Sequence, residues 1–86
     1  MFRVRWTRTA SNQLADIWTN ATDQAAVTAA SYRIEQALKR DPENQGEDRP
    51  NNRRIIFDAP LVVTFRINKA DSTVTVVYVS QYGTAG

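Results

Sequence analysis

The 86-residue chain has no cysteine and no histidine, and only three glycines and three prolines. Without cysteine it can form neither a disulfide nor a thiolate metal site, and nothing assigns it to an oxidising compartment. The missing histidine removes the usual general base, metal ligand and physiological pH switch together. Ser-His-Asp and Cys-His catalysis, histidine-based nuclease mechanisms and histidine–cysteine zinc sites are therefore excluded, and catalysis would have to use Arg, Lys, Tyr, Asp or Glu. Three glycines cannot assemble a glycine-rich phosphate loop. Asp41, Glu43, Glu47 and Asp48 lack calcium-loop spacing, so neither a metal nor another cofactor is expected. No run approaches the roughly 18 apolar residues of a membrane helix, and the start, Met-Phe-Arg-Val-Arg-Trp, has no apolar signal core. A cytoplasmic protein of one small domain, residues 1–86, is expected, with 83–86 as a frayed tail.

The cations present are mostly arginine and are unevenly spread. Residues 1–8 carry Arg3, Arg5 and Arg8 without an acid, and residues 49–57 carry Arg49, Arg53 and Arg54 without one. Between them, residues 9–48 hold seven acids against Arg33, Lys39 and Arg40, while the remainder is balanced and the whole chain is +2. Two arginine clusters flank an acidic middle, and the fold decides whether they meet.

Residues 2–6 alternate, with Phe2, Val4 and Trp6 on one face and Arg3 and Arg5 on the other, which predicts a half-buried strand. Leu14, Ile17, Trp18 and Ala21 then follow at helical spacing behind the capping hydroxyls of Thr7 to Ser11. After a turn at 20–23, Val27, Ser31, Ile34 and Leu38 mark a second helix over 24–40, closed by Lys39, Arg40 and Asp41-Pro42. Ala26, Ala30 and Ala37 would let the neighbouring helix come close. Residues 42–52 hold no large apolar side chain and read as a solvated loop. Strands are predicted at 53–57, 61–67 and 73–82, with a hairpin turn at 68–72. Leu61, Val63, Phe65 and Ile67 should face the helices, leaving Val62, Thr64 and Arg66 on an open face. Val74–Val79 is apolar on both faces towards its end, as in a strand covered on both sides. The order β-α-α-β-β-β predicts a two-layer α+β domain, an N-terminal strand and an αα-hairpin packed on a twisted, mainly antiparallel sheet. Trp6 and Trp18, at periodic positions, are expected in the core, and Tyr78 is expected to pack.

In this order and spacing the chain resembles the RelE/ParE toxin superfamily of type II toxin–antitoxin systems. The resemblance is carried by Val4-Arg5-Trp6-Thr7-Arg8-Thr9-Ala10, Leu14, Ile17-Trp18, Ile34 to Leu38, the Asp41–Glu47 loop, Arg53 to Phe57, Ala59 to Ile67 and Val74-Thr75-Val76. It implies a growth-inhibiting toxin, of the kind associated with plasmid stabilisation, that is neutralised by a cognate antitoxin in a hetero-oligomer. ParE-like members act on DNA gyrase, and RelE-like members cleave messenger RNA on the ribosome. The RelE-like pattern places basic residues on the strand before the meander, matched by Arg53 and Arg54. It places an arginine early in the next strand, where this chain has Leu61-Val62-Val63, and basic and tyrosine residues after the last strand, where it has only Tyr82. The resemblance therefore favours a ParE-like action. The alternatives are a histidine-free, metal-independent endoribonuclease, for which Arg54, Arg66 and Tyr82 are the catalytic candidates, and a degenerate RNA- or protein-binding module. For nucleic acid or another target the candidate contacts are Arg3, Arg5, Arg53, Arg54 and Arg66. Arg53 and Arg54, as strand neighbours, should point to opposite faces unless the backbone bulges.

Overall fold

The computed structural model describes residues 1–81, so the tail at 83–86 and the candidate Tyr82 lie outside the described residues. The elements are β1 (Arg3–Trp6), α1 (Arg8–Asn20), α2 (Gln24–Arg40), a single 3-10 turn (Pro42–Asn44), β2 (Glu47–Arg49), β3 (Arg53–Asp58), β4 (Leu61–Asn68) and β5 (Thr73–Gln81). The five strands form one mixed sheet in the order β1-β5-β4-β3-β2, in which only the β1–β5 pair is parallel.

Local chemistry sets the helix ends. The Thr7 hydroxyl accepts from the Ala10 amide at 3.1 Å, and the Asp23 carboxylate accepts from the Ala26 amide at 3.0 Å, each satisfying a first-turn donor that has no partner within its helix. Lys39 and Arg40 sit in the last turn of α2, where the helix dipole favours cations. Both helices lie on one face of the sheet. Ala10, Val27, Ala30, Ile34 and Leu38 form a single buried cluster with Leu61, Val63 and Phe65 of β4 and Val74, Val76 and Val79 of β5. The expected alternation of β4 holds, with Leu61, Val63 and Phe65 fully buried and Arg66 exposed on the other face.

Three expectations are corrected. The stretch 42–52 is not a plain loop: it contains the 3-10 turn, with Pro42 buried, and β2 as an edge strand paired with β3. Polar Glu-Asp-Arg gives no alternation because this strand is held by backbone pairing at a solvated edge. The apolar doublet in β5 does not reflect a strand covered on both sides. Thr64 pairs with Tyr78 and Phe65 with Val76, so Val77 is an extra residue, and this bulge reverses which side chains face the core. Val74 and Val76 point inward before it, Val79 after it. Where β1 ends, α1 takes over pairing with β5: the Val79 amide donates to Gln13 Oε1 at 2.7 Å, and Thr7 Oγ1 donates to the Val77 carbonyl at 3.4 Å. Thirdly, Trp18 and Tyr78 are not core residues, being 44% and 47% exposed. Trp6 is half-buried against the core, and its indole N–H donates to Glu35 at 2.9 Å.

The link between α2 and the sheet is an exposed one. Arg33 donates twice to Asp58, at 2.8 and 2.9 Å, and this bonding raises the guanidinium pKa above its ordinary value. Because the Arg33 side chain is 55% exposed, Arg33→Ala should leave the urea midpoint almost unchanged. A large fall in the midpoint would show that the pair, not the core, fastens α2 to β3.

Candidate functional site

The helices leave the second face of the sheet uncovered, and the register assigns its side chains. Across β1 and β5, Arg3 lies opposite Thr73 and Arg5 opposite Thr75. Across β5 and β4, Thr75 lies opposite Arg66, Tyr78 opposite Thr64 and Ser80 opposite Val62. Across β4 and β3, Ile55 faces Thr64 and Phe57 faces Val62, and the rung after Arg54–Phe65 sets Arg53 opposite Arg66. Across β3 and β2, Arg53 lies opposite Arg49 and Ile55 opposite Glu47. One line across the strands therefore reads Arg5, Thr75, Arg66, Arg53, Arg49.

The two arginine clusters of the sequence thus occupy opposite edges of one face, and Arg66 on the central strand joins them. Among the described residues this face carries five arginines, Arg3 included, against one carboxylate, Glu47, which leaves it at +4 in a chain of +2. Glu47 holds Arg49 at 3.3 Å. Among the described residues, Arg3, Arg5, Arg53 and Arg66 have no ion-pair partner. The Arg53 guanidinium stacks over the Tyr78 ring, 5.5 Å from its centroid, and its buried Nε has no hydrogen-bond partner. At the far end of the face Ile55, Phe57 and Val62 form an apolar margin.

Arg54, on the opposite side of β3, is engaged differently. It donates to the Gln45 carbonyl at 2.9 Å and the Gly46 carbonyl at 3.2 Å, and it forms an ion pair with Asp48. It ties the segment before β2 to the sheet. Arg53 and Arg54 both border a 400 Å³ hollow at the β2–β3 turn, but Asp48 and Glu43 line it too, so its charge is mixed. The structure therefore brings Arg5, Arg53 and Arg66 together, with Arg3 beside them, and sets Arg54 apart. Sequence reasoning missed Arg49 and Tyr78: Arg49 because β2 was not visible, Tyr78 because the bulge turns it outward. The signal for β2 was Asn51-Asn52, which adopt φ of 66° and 61° in the β2–β3 turn, a conformation that asparagine tolerates in tight hairpins.

The helical layer carries a second feature, a 780 Å³ groove between α1 and α2 bordered by Trp6, Leu14, Trp18, Tyr32 and Glu35. The small residues of α2 do not draw α1 fully against it, and the groove remains open with Trp18 and Tyr32 at its rim. Among the described residues no group of three or more carboxylates is placed to hold a metal ion, and no helix is long and apolar enough to cross a membrane.

Solved structures share this architecture over nearly the whole chain. A chain of the RelBE2 toxin–antitoxin complex from Mycobacterium tuberculosis superposes with a TM-score of 0.78 at 20% identity, covering 96% of this chain and 93% of that one. A chain of the chromosomal ParDE system from P. aeruginosa gives 0.73 at 14% identity, with 94% and 96% covered. The intact E. coli RelBE toxin–antitoxin complex gives 0.66 at 9% identity, with 98% and 100% covered. The chain has the RelE/ParE toxin fold. The sequence itself matches no family model and no curated protein. RelE-type and ParE-type structures both appear among the neighbours, so the likeness in fold does not choose between them. Within the RelE/ParE fold, the cationic line here runs across the strands of the open face, and β4 opens with Leu61 and Val63 in the core.

Proposed function

We propose that this chain is the toxin of a type II toxin–antitoxin pair, that a cognate antitoxin holds it inactive in a hetero-oligomer, and that once free it arrests growth in the cytoplasm. The observation that supports this reading is the end-to-end likeness to chains of toxin–antitoxin complexes. The apolar groove between α1 and α2 offers an antitoxin segment its anchor, because a partner covering Trp18 and Tyr32 would remove a contiguous apolar surface from water. For the target, DNA gyrase is favoured over ribosome-bound messenger RNA. Arg54 is bonded to backbone carbonyls and Asp48, and apolar residues open β4, so two of the positions that a RelE-like nuclease fills with free cations are not free cations here.

Induced alone in a bacterial host, the chain should stop growth, and co-expression of the small open reading frame adjacent to it should restore growth. Purified from that pair and freed of its partner, it should inhibit gyrase supercoiling while leaving translated messenger uncut. Normal growth despite abundant folded protein would overturn the toxin reading. Codon-phased cuts in messenger would overturn the gyrase assignment and leave the toxin reading standing.

A further inference from the structure

From the order of charges along β2 we infer that this strand is a self-association edge. Two copies of the chain pair their β2 strands antiparallel about a two-fold axis at Asp48, which extends the sheet from five strands to ten. β2 is an outer strand, paired with β3 on one side only, and all three of its residues are exposed. The edge at β1 is partly occupied, since the Phe2 amide just before it donates to the Lys39 carbonyl at the end of α2 at 3.0 Å. Charged side chains on an edge ordinarily keep other strands away. Here their order is Glu47-Asp48-Arg49, and an antiparallel copy reads that order in reverse. With Asp48 on the axis, Glu47 of each copy lies directly opposite Arg49 of the other on the open face, at a Cβ separation of about 4.5–5.5 Å.

Within one chain Arg49 already bonds Glu47 at 3.3 Å, so the four side chains alternate in sign both along each strand and across the axis. Such a network gains what an isolated exposed ion pair does not. Moving the pairing by one pleat in either direction sets Glu47 or Arg49 against its own copy, so the charges select a single register. On the other face the two Asp48 carboxylates meet at the axis, each already ion-paired with Arg54 of its own chain, so two anions lie between two cations. In the same register Pro50, which has no amide hydrogen, falls opposite Gly46, which has no side chain, and this confines the pairing to three residues. So short an edge buries less than the roughly 1,200 Å² of a stable complex, so the dimer is weak and depends on concentration.

The test is sedimentation velocity of the purified chain in low salt, from about 10 μM to about 1 mM, the range in which weak interfaces form. A monomer–dimer equilibrium without larger species is expected, because a two-fold contact closes on itself. It should shift to monomer at about 0.5 M salt, which screens exposed charges. Glu47→Arg and Arg49→Glu should each lower the dimer affinity by about 10-fold or more, since each sets like charges opposite one another. The double variant Glu47→Arg/Arg49→Glu exchanges the two charges and should restore dimerisation. The chain has no cysteine, so Asp48→Cys introduces a single thiol at the axis. Residues opposite one another in an antiparallel pair have Cα atoms about 4.5 or 5.5 Å apart, within the reach of a disulfide. Mild oxidation should therefore convert Asp48→Cys to a covalent dimer and leave Thr22→Cys, in the α1–α2 turn, monomeric. A monomer at the highest concentration in low salt would overturn the inference. So would a double variant no better than the singles, or equal cross-linking of Asp48→Cys and Thr22→Cys. The outcome is independent of the toxin reading, since a monomer can arrest growth and a dimer can fail to.

Discussion

Phe65→Ala is expected to remove about 3–5 kcal/mol of stability, the largest single-residue effect in the chain. Phe65 is fully buried on β4, the middle strand of the five, opposite Val76 on one side and Arg54 on the other. It belongs to the cluster that includes Ile34 and Leu38 of α2 and Ala10 of α1, so both helices and the sheet share it. Truncation loses the transfer free energy of the ring and leaves a void between layers, one of them a sheet held by hydrogen bonds to both neighbouring strands, that cannot close freely. A domain of this size has only about 4–13 kcal/mol in total, so the variant should be close to unfolded in buffer. Phe65→Leu, which retains most of the volume, should cost about 1–2 kcal/mol. Arg66→Ala next door, on the open face, should cost less than about 0.5 kcal/mol or slightly stabilise by relieving repulsion with Arg53. Urea midpoints decide the matter: a Phe65→Ala loss under 1 kcal/mol would mean that the core is not centred on β4.

Much of this architecture was legible in the chain because one-sided burial imposes a period. Phe2-Arg3-Val4-Arg5-Trp6 and Leu61 to Ile67 alternate because each strand has one covered face, and Val27, Ile34 and Leu38 recur because α2 has one covered stripe. The open face and its arginines followed from the same alternation, which puts Arg66 on that face. What escaped had no such imprint. β2 is an edge strand, and its side chains Glu47, Asp48 and Arg49 are all exposed, so burial leaves no pattern in it. The β5 bulge breaks the period within a run of valines, where residue type cannot mark the break. Trp18 and Tyr78 are apolar enough for a core yet face outward, and their positions on a helical stripe and in a β-rich run conceal that. These exceptions lie at the groove and on the cationic face. Local rules give way where binding, not burial, determines the residue.

Polarity also divides the molecule in a way that net charge conceals. The open face is at +4, so the rest of the chain is net negative, with Asp16, Asp23, Glu35 and Asp41 on or beside the helices. An anionic ligand is therefore drawn to one side only, and electrostatic steering falls with salt as the charges are screened. An antitoxin anchored in the α1–α2 groove and an anionic ligand on the arginine line would occupy opposite layers and need not compete directly. A chain length reaching around the sheet edge would be required for one partner to cover both.

Gly46→Ala should detach β2, and the cause can be separated into strain and collision. Gly46 has φ of +69°, where an L side chain costs roughly 1–2 kcal/mol. A Cβ built there would sit 2.1 Å from the Ile55 carbonyl oxygen and 2.8 Å from its carbon, and both are backbone atoms of β3. Neither atom can turn aside as a side chain would, so the 46–49 segment must lift. Lifting it breaks the Arg54 bonds to the Gln45 and Gly46 carbonyls and the pairing of Arg49 with Arg53. A total of about 3 kcal/mol is expected if the chain stays closed, and local release is the easier course. Amides of residues 47–49 should then exchange at rates close to those of an unfolded chain, while those of β4 and β5 keep their protection. Asparagine tolerates positive φ far better than alanine but adds the same Cβ. If collision dominates, Gly46→Asn should release β2 as fully as Gly46→Ala; if strain dominates, asparagine should restore most of the protection. Unchanged exchange in both variants would show that β2 is not held against β3 at Gly46.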